Sequence, residues 1–400
     1  MSPAKKRFTS PIFIILVMAF ASSCFLSSAS ADQMNEPDKF LVARHDGWQI
    51  KAFSADGNYI LAQNGDDKLI VLDSGSLKPV GPPLKYYAYY FPAAISPDGA
   101  RIAIGEDKGR INILDARTGK SIIAETVDAN FASPLAFSRD NRFLLARTTG
   151  HIALLDASMC KTVAPPIDAP HQWNGGITSV QLSPDARTIL TTHEDRPARL
   201  WDVQTGKELH TLDTTLWSMR DPDATTDHAS AAVFSSDGSL IATAETIIDN
   251  EGRWEDVGRV WDTKSGRLLF TTSKMSHFVP AVAFSRDSKL LAVGAYGVTV
   301  FDIGRKAAIT HEMGASFERY SLQVGFSPDG KRVFAVGGGG QAKVFDVATQ
   351  KELFDFAMND VTTIGRFNSD GSRFITGGYG LGSPSAAGIY AWDVSKSPGK

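Results

Sequence analysis

Apolar residues alternate with polar or small ones in short runs along most of the chain, and turn-forming residues separate the runs. Residues 93–96, 101–104, 110–114 and 121–124 show four such runs in succession. Alternation over about four to eight residues is typical of half-buried β-strands. Residues 97–99 are Pro-Asp-Gly, which favours a tight turn because proline presets φ and glycine accepts a positive φ. The pattern therefore predicts a unit of four strands joined by short turns.

This unit recurs along the chain with two fixed motifs. The first is a hydrophobic residue followed by Ser, any residue and Asp, with Asn in place of Ser in the last copy. Its aspartates are Asp56, Asp98, Asp140, Asp185, Asp237, Asp287, Asp329 and Asp370. The second motif is a hydrophobic residue before Asp, at Asp73, Asp115, Asp156, Asp202, Asp262, Asp302, Asp346 and Asp393. Successive first-motif aspartates lie 41 to 52 residues apart, so one supersecondary unit is used repeatedly.

The two motifs and their period resemble the WD40 repeat family, over nearly everything from residue 39 to residue 393. The resemblance implies an all-β fold in which each unit forms one blade of a β-propeller. Every copy is present, so we predict eight blades, with seven as the alternative. The last unit lacks its outer strand, and residues 40–43 form an unassigned β-like run before the first unit. We predict that this run pairs with the last blade and closes the ring.

One feature of the family is largely missing from this chain. The Gly-His pair that precedes the first strand of a WD40 unit is absent from most units. We therefore expect the buried hydrogen-bond network that this His anchors to be broken in most blades.

The first 31 residues have the features of a secretory signal peptide. Lys5, Lys6 and Arg7 form a positive segment, residues 12–21 are apolar, and residues 29–31 are Ala-Ser-Ala. We predict cleavage before Asp32, which leaves residues 32–400 as a single propeller domain in the periplasm or outside the cell. A lipoprotein signal ending at Cys24 is the minor alternative. The apolar segment is shorter than the about 20 residues of a membrane span, so we expect no span after cleavage.

Composition narrows the classes of partner. The net charge is -3 with 21% charged residues, and no basic block is present, which argues against binding to nucleic acid. Cys160 is the one cysteine after the predicted cleavage, so no internal disulfide can form, and we expect it to fill apolar space. We expect a monomer.

Extra length is concentrated on one side of the predicted propeller. Because strands alternate in direction, connections one-two and three-four lie on one face and all others on the opposite face. The added residues before units four and five, and within units five and eight, all fall on this second face. Loops on a rigid scaffold commonly bind partners, and Trp and Arg dominate protein interfaces. We predict partner-binding residues at Trp173, Trp217, Arg220, Arg253 and Trp254.

No sequence motif of hydrolases, metalloenzymes or phosphate-binding loops occurs, so we predict no catalytic residue, no metal ligand and no cofactor. Residues 221–227 place oxygen side chains at alternate positions, but the Gly and Glu of a calcium-binding EF-hand loop are missing. The sequence thus favours an exported scaffold that binds a protein or peptide. The alternative is a small-molecule-binding or lactonase-like propeller with its site at the mouth of the central channel.

Overall fold

The computed structural model describes most of the chain from residue 40 onwards. The described residues are 40–86, 93–128, 130–168, 177–193, 197–212, 229–248, 254–273, 281–314, 321–337, 340–357, 361–379 and 388–396. All of them belong to the unit Glu36–Lys400. Their regular structure consists of β-strands and one short 3-10 turn, Asp107–Gly109. Within the described ranges, no helix has the length and apolar character needed to cross a bilayer.

The strands follow one another in groups of four, except for the first. Strand β1 (Leu41–Asp46) precedes blade one. Blades one and two contain β2 (Trp48–Phe53), β3 (Tyr59–Asn64), β4 (Lys68–Asp73), β5 (Leu84–Lys85), β6 (Ala93–Ile95), β7 (Arg101–Glu106), β8 (Arg110–Asp115) and β9 (Ser121–Thr126). Blades three and four contain β10 (Ala132–Phe137), β11 (Phe143–Thr148), β12 (His151–Asp156), β13 (Ile167–Asp168), β14 (Ile177–Leu182), β15 (Thr188–His193), β16 (Ala198–Asp202) and β17 (Glu208–Leu212).

The second half of the chain repeats this arrangement. Blades five and six contain β18 (Ala229–Phe234), β19 (Leu240–Ile248), β20 (Trp254–Asp262), β21 (Leu268–Thr271), β22 (Ala281–Phe284), β23 (Leu290–Gly294), β24 (Val298–Asp302) and β25 (Ala307–Ala308). Blades seven and eight contain β26 (Ser321–Phe326), β27 (Arg332–Gly337), β28 (Gln341–Asp346), β29 (Glu352–Ala357), β30 (Val361–Phe367), β31 (Arg373–Tyr379) and β32 (Gly388–Asp393).

The blades form a closed ring of eight four-stranded antiparallel sheets. Each first strand contacts the first strand of the next blade, and β2 of blade one contacts β31 of blade eight. The sheet of blade eight has the order β1-β32-β31-β30, so the N-terminal strand supplies its outer strand. Leu41 lies opposite Trp392 and Asp46 opposite Gly388. The predictions of an eight-bladed propeller and of closure by the N-terminus are confirmed, the seven-blade alternative is wrong, and the closing strand extends beyond residues 40–43 to Asp46.

The core consists of separate apolar clusters between neighbouring blades. Among the described residues there is one cluster at each of the eight blade interfaces. The interface between blades seven and eight is rich in aromatic rings, with the centroids of Phe356 and Trp392 4.6 Å apart. Each blade is covered on both sides, which explains why its central strands are apolar at nearly every position.

The first motif forms the turn between the first and second strands. In blade five, the Ser235 hydroxyl donates to the Asp237 carboxylate (2.6 Å) and accepts the Leu240 backbone N–H (2.9 Å). The Ser-to-Asp bond occurs in blades one to seven. In blade eight, the Asn368 side-chain oxygen accepts the Arg373 N–H at 2.9 Å instead. The hydrogen bond from Ser235 is the main reason that the pKa of Asp237 lies below its usual value.

The second motif forms the turn between the third and fourth strands. The Asp115 carboxylate accepts the Thr118 backbone N–H at 2.7 Å and the Thr118 hydroxyl at 2.8 Å. These bonds keep the pKa of Asp115 below its usual value. The recurring aspartates are therefore turn residues of the fold, and their recurrence is a structural requirement.

Candidate binding face

The propeller has two faces, defined by which connections lie on them. The tight-turn face carries the connections between first and second strands and between third and fourth strands. The loop face carries the connections between second and third strands and between successive blades. The sequence predicted that added length would gather on the loop face.

The tight-turn face is held together by arginines that reach from one blade to the next. Arg332 of blade seven donates to the Gly371 carbonyl of blade eight at 2.7 Å. Arg366 of blade eight donates to the Ala55 carbonyl of blade one at 2.9 Å. Arg101 of blade two bonds to carbonyl oxygens of blade three in the same way. Hydrogen bonds with a charged donor are stronger than neutral ones, so this face forms a rigid base.

Among the described residues, blade five has the longest second and third strands. Its second and third strands, β19 and β20, each have nine residues. The second strands of the other blades have five to seven. The two long strands pair without interruption from Leu240 opposite Asp262 to Ile248 opposite Trp254. A regular hairpin thus carries backbone out to the loop face.

A buried polar network lies within this hairpin. The Trp261 indole N–H donates to the Thr243 hydroxyl at 2.9 Å, and the Thr243 hydroxyl donates to the Glu245 carboxylate. Arg259 forms an ion pair with the other oxygen of Glu245. Glu245 is 9% exposed and Arg259 8%, so both charges are removed from water. The pair fixes β19 to β20 just below the end of the hairpin.

Blade four has a related network at the equivalent position. The Trp201 indole N–H donates to the Thr191 hydroxyl at 3.0 Å, and the His193 ring nitrogen Nε2 lies 3.1 Å from the same oxygen. His193 is buried at the loop-face end of β15. It therefore stands where Glu245 stands in blade five.

The Trp–Thr hydrogen bond survives although the Gly-His pair is largely absent from the sequence. The bond occurs in all three units whose third strand ends in Trp-Asp. Besides the two described above, the Trp392 indole donates to the Thr376 hydroxyl at 2.9 Å. The indole therefore has its own hydroxyl partner within the blade. The sequence did not indicate this, because the Thr lies far from the Trp along the chain.

The predicted partner-binding residues fall mostly outside the part of the chain that is described. Trp173, Trp217, Arg220 and Arg253 lie outside the described residues, as does the segment 221–227. Trp254 begins β20 and lies opposite Ile248 at the end of the long hairpin. Its backbone position is on the loop face, as predicted, and its side chain is not described. The set of five stays a prediction.

Glu245 and Arg259 are the site residues that sequence reasoning missed. A usable signal was present, since each charged residue lies between small or apolar neighbours, Ala244 and Thr246 in β19 and Gly258 and Val260 in β20. Arg259 lies three residues before Asp262, at a position occupied by Ile70 in blade one. Charge at such a position requires a buried partner, because an unpaired charge in a core is unfavourable.

Two observations concern metal-ligating and thiol groups among the described residues. Within the described ranges, no group of three or more His, Cys, Asp or Glu residues is placed to hold a metal ion. Cys160 is buried in the cluster between blades two and three, and burial raises the pKa of its thiol to about 11. The thiol is therefore protonated at neutral pH and contributes apolar packing.

Comparison with known proteins agrees with this architecture. No family model matches the chain. It is 26% identical to Autophagy-related protein 16 of Arabidopsis thaliana over 213 residues, which are 52% of this chain and 38% of that protein. It is 25% identical to WD repeat-containing protein SL1-17 of Schistosoma mansoni over 114 residues, which are 28% of this chain and 36% of that protein. The chain thus matches well under half the length of these relatives.

A solved structure shows the same fold. Chaetomium thermophilum Sqt1, bound to the N-terminus of the ribosomal protein L10, superposes with a TM-score of 0.61 and 18% identity, and the match covers 89% of this chain and 98% of Sqt1. At this identity the likeness concerns the fold. The repeated motifs, the ring of eight blades and the WD-repeat relatives agree with one another, and they identify the chain as an eight-bladed β-propeller of WD40-like repeats.

Proposed function

We propose that this chain is an exported, non-enzymatic scaffold that binds a protein or peptide through its loop face at blades four and five. The observation that carries the proposal is the long hairpin β19–β20, which brings Trp254 to the loop face above a buried ion pair. One chain contains the whole face, so the monomer is the binding unit.

The loop face is better suited to binding a partner than the tight-turn face. The tight-turn face is occupied by its own interblade hydrogen bonds, and the loop face carries all the added length. Trp buries a large, rigid ring, and Trp and Arg are enriched among the residues that dominate interface energetics, so Trp217, Arg220 and Trp254 are suited to be the main contacts. The acidic residues between 249 and 256 would orient a basic partner and raise its rate of association.

Peptide binding by a propeller of this fold has a direct parallel. Sqt1 is described as bound to the N-terminus of a ribosomal protein. For the present chain the same mode of binding is part of our proposal, since the similarity to Sqt1 extends to the fold.

The test is photo-crosslinking in the native compartment with a crosslinkable amino acid at position 254. A matched control places it at Arg286, an exposed residue on the tight-turn face. We expect one protein to be captured from position 254 and not from position 286. Equal capture at both positions would contradict the assignment of the loop face.

The same partner then allows a mutational test. Replacing Trp217 and Trp254 together by Ala should weaken binding at least tenfold, because residues that dominate interfaces contribute about 2 kcal/mol or more each. We expect the melting temperature to change little, because a side chain that serves to contact a partner adds little to the stability of the free propeller. Unchanged affinity of the double variant would show that the interface lies elsewhere.

Export is a separate part of the proposal, supported by the signal-like sequence of the first 31 residues. Mass spectrometry of the secreted or periplasmic protein should find Asp32 at its N-terminus. An acylated Cys24 would identify the lipoprotein alternative, and an intact Met1 in the cytoplasmic fraction would contradict export.

The enzymatic alternative at the channel mouth stays a sequence-based hypothesis. Metal analysis of the purified chain distinguishes it from the scaffold. A divalent ion held in stoichiometric amount, and lost when Asp221 and Asp223 are replaced by Asn, would favour an enzyme.

A further inference from the structure

Blade six presents an aromatic side chain on the loop face. Its second and third strands, β23 and β24, are joined by Ala295-Tyr296-Gly297, and connections of this kind lie on that face. Tyr296 is 38% exposed, and it is the one exposed aromatic side chain among the described residues. No ring or guanidinium from the described part of the chain stacks on it. Aromatic residues dominate the energetics of protein interfaces, so this position favours a contact with a partner.

The backbone around Tyr296 is held in place on both sides. The Ala295 N–H donates to the Gly297 carbonyl at 2.9 Å. Gly294 pairs with Val298 directly below this turn. Ala295 is buried in the apolar cluster between blades five and six, and Val298 in the cluster between blades six and seven. An aromatic contact on a fixed backbone loses little conformational entropy on binding, so Tyr296 is preorganised.

The turn that carries Tyr296 lies beside the long hairpin of blade five. A Cβ atom placed on Gly258 of β20 would lie 3.1 Å from a methyl carbon of Val293 in β23, so the two hairpins pack closely. The cluster that contains Ala295 also contains Ala244 of β19. Tyr296 therefore extends the loop face of blades four and five to blade six.

A carboxylate lies next to this turn. Glu312, in the connection from blade six to blade seven, accepts the Gly297 N–H on Oε1 at 3.0 Å. Because the Gly297 nitrogen is bonded to the Tyr296 carbonyl carbon, this oxygen lies within about 6 Å of the Tyr296 Cα atom. Met313 exchanges two backbone hydrogen bonds of 2.9 Å with Val298, which fixes the segment that carries Glu312. Within the described ranges, no Lys or Arg forms an ion pair with Glu312.

The closing strand shows how a tyrosine and a carboxylate of this protein hold a guanidinium. The Arg44 guanidinium lies over the Tyr390 ring, 5.2 Å from its centroid, and forms an ion pair with Asp46. A cation is attracted to the face of an aromatic ring, and the carboxylate adds a charge-assisted hydrogen bond. Tyr296 and Glu312 offer the same two groups to a cation from outside the chain.

We propose that Tyr296 and Glu312 form a subsite for an arginine side chain of the protein or peptide bound at the loop face. The guanidinium lies against the Tyr296 ring and pairs with the Glu312 carboxylate, and its planar, weakly hydrated form suits both contacts better than an ammonium does. The acidic residues between 249 and 256 of blade five favour a positively charged partner as well. This subsite rests on the proposed function, since the arginine belongs to the molecule that the loop face binds.

The test is fluorine NMR of residues 32–400 labelled with fluorotyrosine, titrated with N-acetyl-arginine amide and without any partner protein. The Tyr296 resonance is assigned by its absence from the spectrum of Tyr296→Phe. N-acetyl-citrulline amide is the control compound, because it has nearly the same shape and no charge. Glu312→Gln removes the charge and keeps an oxygen that can accept the Gly297 N–H. Glu125→Gln is the matched variant, since it removes one charge from blade two, opposite blade six in the ring of eight.

We expect the Tyr296 resonance to shift saturably with the arginine compound and not with the citrulline compound. The dissociation constant should be on the order of 10 mM, because a single side chain makes few contacts. Glu312→Gln should raise this constant at least about fivefold, and Glu125→Gln should leave it unchanged. A resonance that does not move below about 100 mM, or that moves equally with both compounds, overturns the proposal without any variant. Equal weakening by the two Gln variants overturns it too.

The proposed function is tested by a different observation. Capture of a protein from position 254 without binding of the arginine compound would contradict the subsite alone. Binding of the arginine compound without such capture would contradict the scaffold and leave the cation site in place.

Discussion

At the scale of single residues, Glu245 and Arg259 connect stability to the proposed binding face. Both are buried, and their ion pair fixes the two long strands of blade five below the loop face. Removing two charges from water is costly, and mutual attraction offsets that cost only while both partners are present. The pair therefore makes blade five sensitive to any substitution that leaves one charge alone.

We predict that Glu245→Gln and Arg259→Met each lower the free energy of unfolding by about 3–5 kcal/mol, because each leaves a buried charge without its partner. Replacing both residues together, by Leu and Met, should cost far less than the sum. Urea unfolding of the four proteins measures this coupling. Additive losses would show that the two charges do not depend on each other.

Blade four supplies a matched control. Arg199 occupies the equivalent position, three residues before Asp202, and pairs with Glu208 at 3.2 Å in a site where the two side chains are 27% and 34% exposed. Arg199→Met should cost no more than about 1 kcal/mol, as partly exposed pairs usually do. A loss as large as that of Arg259→Met would mean that burial is not the deciding factor.

At the scale of the structural element, the turn between first and second strands shows what the sequence can predict. The Ser-x-Asp motif predicted these turns correctly, because their hydrogen bonds join residues close together in the chain. The bond from Trp261 to Thr243 and the ion pair of blade five escaped prediction. Their partners lie on different strands, and the register between β19 and β20 decides which side chains meet.

The same turn gives a prediction about acid stability. The folded-state pKa of Asp237 is lowered chiefly by the Ser235 hydrogen bond, so the ionised form is favoured in the folded protein. A depressed pKa contributes stability above the unfolded value of about 3.9, and that stability is lost as the pH falls through the lower folded value. Ser235→Ala should therefore cost about 1 kcal/mol at pH 7 and less near pH 3.

Denaturant unfolding of the variant and the wild type at both pH values measures this difference. Thr211→Ala serves as the control, because its hydroxyl bonds to Glu208 on an exposed strand and not to a turn aspartate. A loss from Ser235→Ala that is the same at both pH values would show that the hydrogen bond does not act through the carboxylate.

At the scale of the whole molecule, the ring depends on the contact between its two ends. The last unit of the sequence contains only three strands, and this predicted the closure. A fourth strand for that blade had to come from another part of the chain. The aromatic packing that reinforces it could not be predicted, because it depends on which rings of blades seven and eight come together. The Phe40 ring lies 5.3 Å from that of Phe354, in an edge-to-face arrangement.

Deleting residues 32–46 should therefore destabilise the whole propeller. The truncated chain loses β1 and leaves the edge of β32, which carries Tyr390 and Trp392, without a partner. We expect its melting temperature to fall by several degrees and light scattering to detect aggregates, because an unpaired apolar edge associates with other chains. Deleting residues 397–400 should change neither measurement.

A pair of point variants separates the strand contact from the loss of chain length. Side chains of β1 alternate between half-buried and exposed, with Ala43 packed against the cluster of blades one and eight and Val42 46% exposed. Ala43→Asp places a charge in that cluster and should lower the melting temperature, whereas Val42→Asp should leave it nearly unchanged. Equal effects of the two substitutions, or a monomeric truncation that melts with the wild type, would mean that β1 does not hold the ring closed. Because the apolar clusters lie between neighbouring blades, a ring opened at this seam should lose blade eight first, so tryptophan fluorescence from Trp392 should change before the circular dichroism of the remaining sheets.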